Sequence, residues 1–247
     1  ISYKDFYNEL RKGEMSSTSQ INPSTFEETF RKYVSEGYSL IYIAFSSALS
    51  GTYNSACIAR DTILEENPSA DISIIDSKCA SLGLGLLVYN ACERPKAGES
   101  KEAVVNWVEN NKLKLNHWFT VDDLHHLKRG GRVSSTSAIL GTLLDIKPVL
   151  KVNKEGKLVP VTKVKGRKKS IRALADALKQ RIVDPDNQVI AISHGDCEDD
   201  ARLLERLIKE EFNIKDVIFN YVGPVIGSHS GPGTIALFFF GNDRGDD

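Results

Sequence analysis

Three polar stretches carry most of the side chains that could do chemistry. They are Ser16-Ser17-Thr18-Ser19-Gln20, Ser46-Ser47-Ala48-Leu49-Ser50-Gly51-Thr52-Tyr53, and a glycine-rich run from Gly223 to Thr234 that contains Gly227-Ser228-His229-Ser230-Gly231. All three offer neutral hydroxyls. The second also precedes a helix, whose first backbone N–H groups are free and carry partial positive charge. Each is placed at the end of a strand or before a helix, where open α/β sheets bind ligands. Hydroxyls and N–H donors together suit a small anion. The plainer reading of any one stretch is that its Ser and Thr cap helices and close turns.

Other chemistries find less support. No GxxxxGK[ST] phosphate loop is present, and Gly83-Leu84-Gly85 is only a fragment of a dinucleotide fingerprint inside a helical pattern. A serine hydrolase elbow requires Gly-x-Ser-x-Gly, but the centre of Gly227–Gly231 is His229. His125 and His126 are adjacent on a predicted helix and diverge by about 100°, which does not suit joint ligation of a metal. His194-Gly195-Asp196 follows a strand and reads as a turn or a site loop. The cluster Lys163, Lys165, Arg167, Lys168 and Lys169 reads as a solvated face, or as a dock for an acidic partner or a phosphate. No helix-turn-helix pattern is evident. The 32 basic and 33 acidic side chains give a net charge of −1, without the cationic surplus that nucleic-acid binding uses.

The elements that must position these loops follow from periodicity. Ser2 and Asn22 cap two helices, the second with Pro23 at its first position. Residues 39–45 form an apolar run typical of a parallel strand, and 72–75 a second strand. Helices are predicted from the 46–52 loop to 66, and over 80–93 and 101–110. The second half supplies six strands, at 115–121, 147–152, 157–164, 189–193, 217–221 and 234–240, with helices over 134–144, 168–182 and 199–212. The strands flanking Asn153-Lys154-Glu155-Gly156 read as a hairpin. Residues 242–247 read as a solvated tail.

The fold class is therefore α/β in two domains. Residues 1–112 form an α/β/α domain with a parallel sheet, and 113–247 a two-layer α/β domain with a six-stranded mixed sheet. Two strands cannot cover four helices, so we expect further strands to precede Ile1. Four cysteines without CxxC spacing fit reduced thiols. With no signal peptide and no apolar run near the ~20 residues of a membrane span, a cytoplasmic location is expected.

Taken in order, Thr18-Ser19-Gln20, Ser46 to Ala56, Leu127-Lys128-Arg129-Gly130-Gly131-Arg132-Val133, Lys147-Pro148-Val149-Leu150, Lys165-Gly166-Arg167-Lys168-Lys169 and the segment around His229 resemble the signature blocks of the DegV family. The resemblance spans Thr18 to Gly241. It departs at the start, where the family's first strand and its Thr-Asp-Ser-like loop have no counterpart.

The resemblance implies a carrier of one long-chain fatty acid, without a metal or other cofactor, rather than a catalyst. It implies that Thr18 and Ser50 hold the carboxylate, that His229 orients the threonine, and that Gln20 and Gly51 are further contacts. It also implies a partner, the ATP-binding subunit of a fatty acid kinase, which makes an acyl phosphate for phospholipid synthesis, and it admits transient contact with a membrane surface. Hydroxyls can satisfy a carboxylate without a buried compensating cation. The acyl tunnel should be apolar, and Ile139, Leu140, Leu143 and Leu144 are candidates for its lining. The competing reading is an acyl hydrolase or transferase that uses Ser50 and His229.

Overall fold

The computed structural model describes residues 1–122, 124–133 and 145–245. Two helices open the chain, α1 (Tyr3–Arg11) and α2 (Pro23–Ser35). The caps are formed as the sequence predicts: Ser2 Oγ accepts from the Asp5 N–H at 3.1 Å, and Asn22 Oδ1 from the Thr25 N–H at 2.9 Å. Then come β1 (Leu40–Ala44), α3 (Thr52–Glu66), β2 (Ile72–Asp76), α4 (Ser81–Lys96) and α5 (Lys101–Asn111). The rest is β3 (Leu115–Thr120), α6 (His125–Arg129), β4 (Ile146–Val152), β5 (Leu158–Lys165), α7 (Arg167–Arg181), β6 (Val189–His194), α8 (Glu198–Glu211), β7 (Asp216–Tyr221), α9 (Pro224–Ser230) and β8 (Ile235–Phe240). The helix expected over 134–144, with Ile139, Leu140, Leu143 and Leu144, lies outside the described residues.

β1 and β2 pair in parallel, with Leu40 opposite Ile72. The six remaining strands form one mixed sheet in the order β5-β4-β3-β8-β6-β7, antiparallel except for the β6–β7 pair. Alternation along the central strands gives this sheet two apolar faces. Ile190, Ile192, Leu237 and Phe239 point to α7 and α8, where Ile171, Leu174, Leu178, Leu204 and Ile208 complete one core. Leu115, Phe119, Ala191, Ala236 and Phe238 point the other way. There they meet Leu86 and Leu87 of α4, Val104 and Val108 of α5, and Ile75 of the small sheet. α4 is thus the layer that joins the two sheets. The smaller sheet has its own core with Phe26, Phe30, Ala56, Ala59 and Ile63.

Two local readings need correction. Residues 224–230 form a helix, not a loop, because Pro224 supplies a preset first position and Gly231, at φ 78°, its stop. The segment is too short to show a period. Among the described residues after β8, Arg244 departs from the expected solvated tail, since it is 4% exposed. Its guanidinium donates to the carbonyls of Lys78, Asn153 and Lys112. α1 packs on the large-sheet side of the molecule. Tyr7 is fully buried, its hydroxyl donates to the Val222 carbonyl at 2.7 Å, and Phe6, Leu10 and Val222 surround it. Arg11 pairs with Asp196 on the same side. By packing beside Gly227, Tyr7 fixes the helix that carries His229.

Candidate functional site

In the segment between α1 and α2, the alternate residues Ser16, Thr18 and Gln20 each reach a partner on another element. Ser16 Oγ donates to Ser228 Oγ at 2.7 Å, and Thr18 Oγ1 lies 2.7 Å from His229 Nε2. Two residues further, Gln20 Nε2 donates to Ser55 Oγ on α3 at 3.2 Å. One short strip of chain therefore ties α9 to α3.

Ser50 closes the turn after β1. Its N–H donates to the Ser46 carbonyl at 3.2 Å, its Oγ accepts from the Thr52 N–H at 3.2 Å, and it lies 2.9 Å from Thr52 Oγ1. Gly51 caps α3 without a side chain of its own. A methyl there would stand 2.0 Å from Gln20 Oε1, so the glycine is what lets Gln20 lie across the start of α3.

His229 has one described partner, Thr18. Its Nδ1 is buried without a hydrogen bond and faces Gly130, where a methyl would come within 2.2 Å. Burial first, then the nearby Arg132 and Arg129 guanidinium groups, hold its pKa below the ordinary imidazole value of 6.5. The ring is neutral at pH 7. An orphaned buried N–H is rarer than an orphaned acceptor, so the proton belongs on Nε2, which donates to Thr18 Oγ1. The Thr18 O–H is then free to donate elsewhere.

Thr18, Gln20, Ser50, Gly51 and His229 all line one cavity of about 630 Å³. Such a volume is typical of small-molecule sites. The rest of its wall is largely apolar, with Ile43, Phe45 and Leu49 from the β1 side, Leu84 from α4, Phe119, Ala236 and Phe238 from the large sheet, and Leu127, Val222 and Ile226. The chamber lies between the two sheets, and the hydroxyls and His229 gather where α3, α9 and the 12–22 segment meet.

Sequence reasoning missed two features of this wall. Arg132 lines it, with Nε donating to the Leu49 carbonyl at 3.2 Å and Nη1 to that of Gly130. A guanidinium thus stands on the same wall as the hydroxyls named from the sequence; its signal lay in the Leu127–Val133 block. His117 and Ser81 also line the cavity. Other candidates lie elsewhere. His194 sits against Tyr221 and Phe219, with ring centroids 4.4 Å and 5.3 Å away, and Arg167 pairs with Asp200 at 2.8 Å. Among the described residues there is no cluster of three or more His, Cys, Asp or Glu side chains that could hold a metal. Nor does Ser50 meet His229 in a nucleophile–base pair: Ser50 bonds Thr52, and the described residues place no carboxylate on His229 Nδ1.

An apolar chamber between a parallel and a mixed sheet, with hydroxyls, His229 and Arg132 on its polar wall, sets the architecture of this α/β chain. The chain belongs to the DegV family, whose profile, described as uncharacterised DegV proteins, matches residues 1–242. A DegV domain-containing protein of Clostridium perfringens is 54% identical over 244 residues, covering 99% of this chain and 84% of that one. Among solved structures, a fatty-acid-binding DegV protein of Streptococcus agalactiae is 31% identical with a TM-score of 0.85, covering 98% of this chain and 85% of that one. A DegV protein of Thermus thermophilus, described by its fatty acid binding, is 29% identical with a TM-score of 0.86, again over 98% and 85%.

Proposed function

We propose that this protein binds one long-chain fatty acid in the chamber, with the carboxylate held by the Thr18 and Ser50 hydroxyls and the acyl chain buried between the sheets. The observation that carries this reading is the Thr18–His229 pair at the polar end of an otherwise largely apolar cavity. The Streptococcus agalactiae and Thermus thermophilus relatives, described as fatty-acid-binding, support it. So do the energetics. Burying about 15 methylenes at ~0.8 kcal/mol each gives on the order of 12 kcal/mol before ordering costs, enough for tight retention.

The protein acts in the cytoplasm as a carrier without a cofactor. It presents the carboxylate to a separate ATP-binding kinase subunit, which forms an acyl phosphate destined for phospholipid synthesis, and it loads by transient contact with a membrane surface. Gln20 and Gly51 shape the head-group end. Among the described residues no helix is long and apolar enough to cross a membrane.

Native mass spectrometry followed by solvent extraction tests the core of this reading. We expect a bound mass that is recovered as a free fatty acid. Protein that is empty and takes up neither added oleate nor palmitate overturns it.

A further inference from the structure

The floor of the chamber is not uniformly apolar. His117 on β3, 2% exposed, and Ser81 at the start of α4 both line it, among Ile43, Leu84, Phe119 and Phe238. His117 Nδ1 lies 3.0 Å from the Leu115 carbonyl. A carbonyl only accepts, so Nδ1 carries the proton and Nε2 presents a lone pair. Burial keeps the ring neutral by pushing its pKa well below 6.5. The one hydrogen bond described for Nε2 is the Ala80 N–H at 3.4 Å, beyond the usual range for such bonds. Ser81 Oγ has a similarly long contact, 3.4 Å to Ser193 Oγ. An acceptor and a hydroxyl are thus poorly satisfied by the protein itself.

Ser81 also holds a left-handed backbone, φ 53°, which glycine would adopt without strain. The chain keeps a serine there and turns it into a wall that a plain hydrocarbon would touch only with methylenes, leaving the hydroxyl desolvated with only its long contact to Ser193 Oγ. The register gives the position. Thr120 stands opposite Ile235, just past α9, and His117 opposite Phe238. Three residues at ~3.4 Å each put His117 about 10 Å along β3 from the strand end that lies beside Ile235.

We propose that His117 and Ser81 form a subsite for a hydroxyl group carried on the distal part of an acyl chain. The ligand hydroxyl donates to His117 Nε2 and accepts from Ser81 Oγ. The ligand class is therefore hydroxylated long-chain fatty acids. This rests on the fatty-acid reading above and extends it from the carboxylate to the chain.

The test compares stearate with a positional series of hydroxystearates on delipidated protein. We expect at least one isomer hydroxylated in the distal half to bind about tenfold tighter than stearate, the worth of one to two net hydrogen bonds. That gain should vanish in Ser81→Gly, which keeps the backbone of residue 81 unstrained, and in His117→Phe. No preferred isomer, a preference confined to hydroxyls next to the carboxylate, or a gain that survives in both variants overturns the subsite. Binding of stearate without that gain leaves the fatty-acid reading standing; failure to bind any of the series removes both.

Discussion

Thr18 Oγ1 and His229 Nε2 meet at 2.7 Å across 211 positions of sequence, and this contact closes the polar end of the chamber. Because the His229 proton sits on Nε2, the imidazole fixes the threonine oxygen and directs its O–H away from the ring. The pair should then act as a unit on a carboxylate. We expect Thr18→Ala and His229→Ala each to weaken fatty-acid affinity by about ten- to a hundredfold, the range for a hydrogen bond to a charged group. The double variant should be scarcely worse than either single one. Calorimetric titration of the four proteins with oleate measures the cycle, and additive losses would refute the coupling.

Gly130 offers a way to disturb His229 without altering a ligand-touching group. Its backbone is ordinary right-handed helix, φ −72°, so alanine is tolerated by the main chain. The added methyl would stand 2.2 Å from His229 Nδ1, and the ring must move. Gly130→Ala should therefore lower oleate affinity to near the His229→Ala level. Gly51→Ala makes a contrast, since its methyl meets the movable amide end of Gln20. That variant should lose the Gln20–Ser55 bond, about 1 kcal/mol of stability, with a smaller change in affinity. Equal affinity losses in the two would count against His229 as the positioning group.

How much of this was legible beforehand depended on the range of the signal. The strands came from short apolar runs and the caps at Ser2 and Asn22 from single residues, all local, and each lies within a residue or two of its expected bounds. Thr18, Ser50 and His229 were placed by their motif blocks; no period or spacing brings Thr18 to His229. What stayed hidden is long-range. Arg244 reads as part of a charged tail until its three carbonyl partners, contributed by three separate segments, are in view. His117 reads as one more strand residue. Only the β3–β8 register and the position of α4 show that it faces a cavity.

Three buried or half-buried imidazoles give the fold an acid sensitivity with a definite window. His117 lies well below its ordinary 6.5, and His194 and His229 lie below it, with burial the largest cause in each. In the unfolded chain these rings take up protons near pH 6.5; in the folded protein they do not. Stability is therefore complete above that value and is lost as pH falls toward the depressed folded pKa values. The lowered carboxyl groups Asp76 and Glu205 act further down, below their ordinary 3.8 and 4.5. Thermal unfolding followed between about pH 7 and pH 5 should show a declining midpoint, and His117→Phe should flatten the slope. An unchanged slope in that variant would mean that His117 titrates normally.

Arg244 should be a strong point of the assembly for a reason that its charge alone does not convey. One guanidinium nitrogen donates to the Lys78 carbonyl at 3.0 Å and to that of Asn153 at 3.2 Å. The other donates to the Lys112 carbonyl at 3.0 Å, and the residue's own N–H reaches the Leu113 carbonyl at 3.0 Å. These acceptors come from the loop after β2, the end of α5 and the β4–β5 turn, so a single side chain fastens the small sheet to the large one beside the chamber. Removing it leaves three carbonyls facing a void, each a group that is costly to bury unpaired. We expect Arg244→Ala to lose about 2–4 kcal/mol in urea unfolding, the cost of several charge-assisted hydrogen bonds offset by relief of burying a cation. Arg244→Lys should recover less than half of this, because a single ammonium point cannot reproduce the planar fork that spans the three carbonyls. A loss below about 0.5 kcal/mol, within the range of an ordinary surface substitution, would show that the clasp contributes nothing to holding the sheets together.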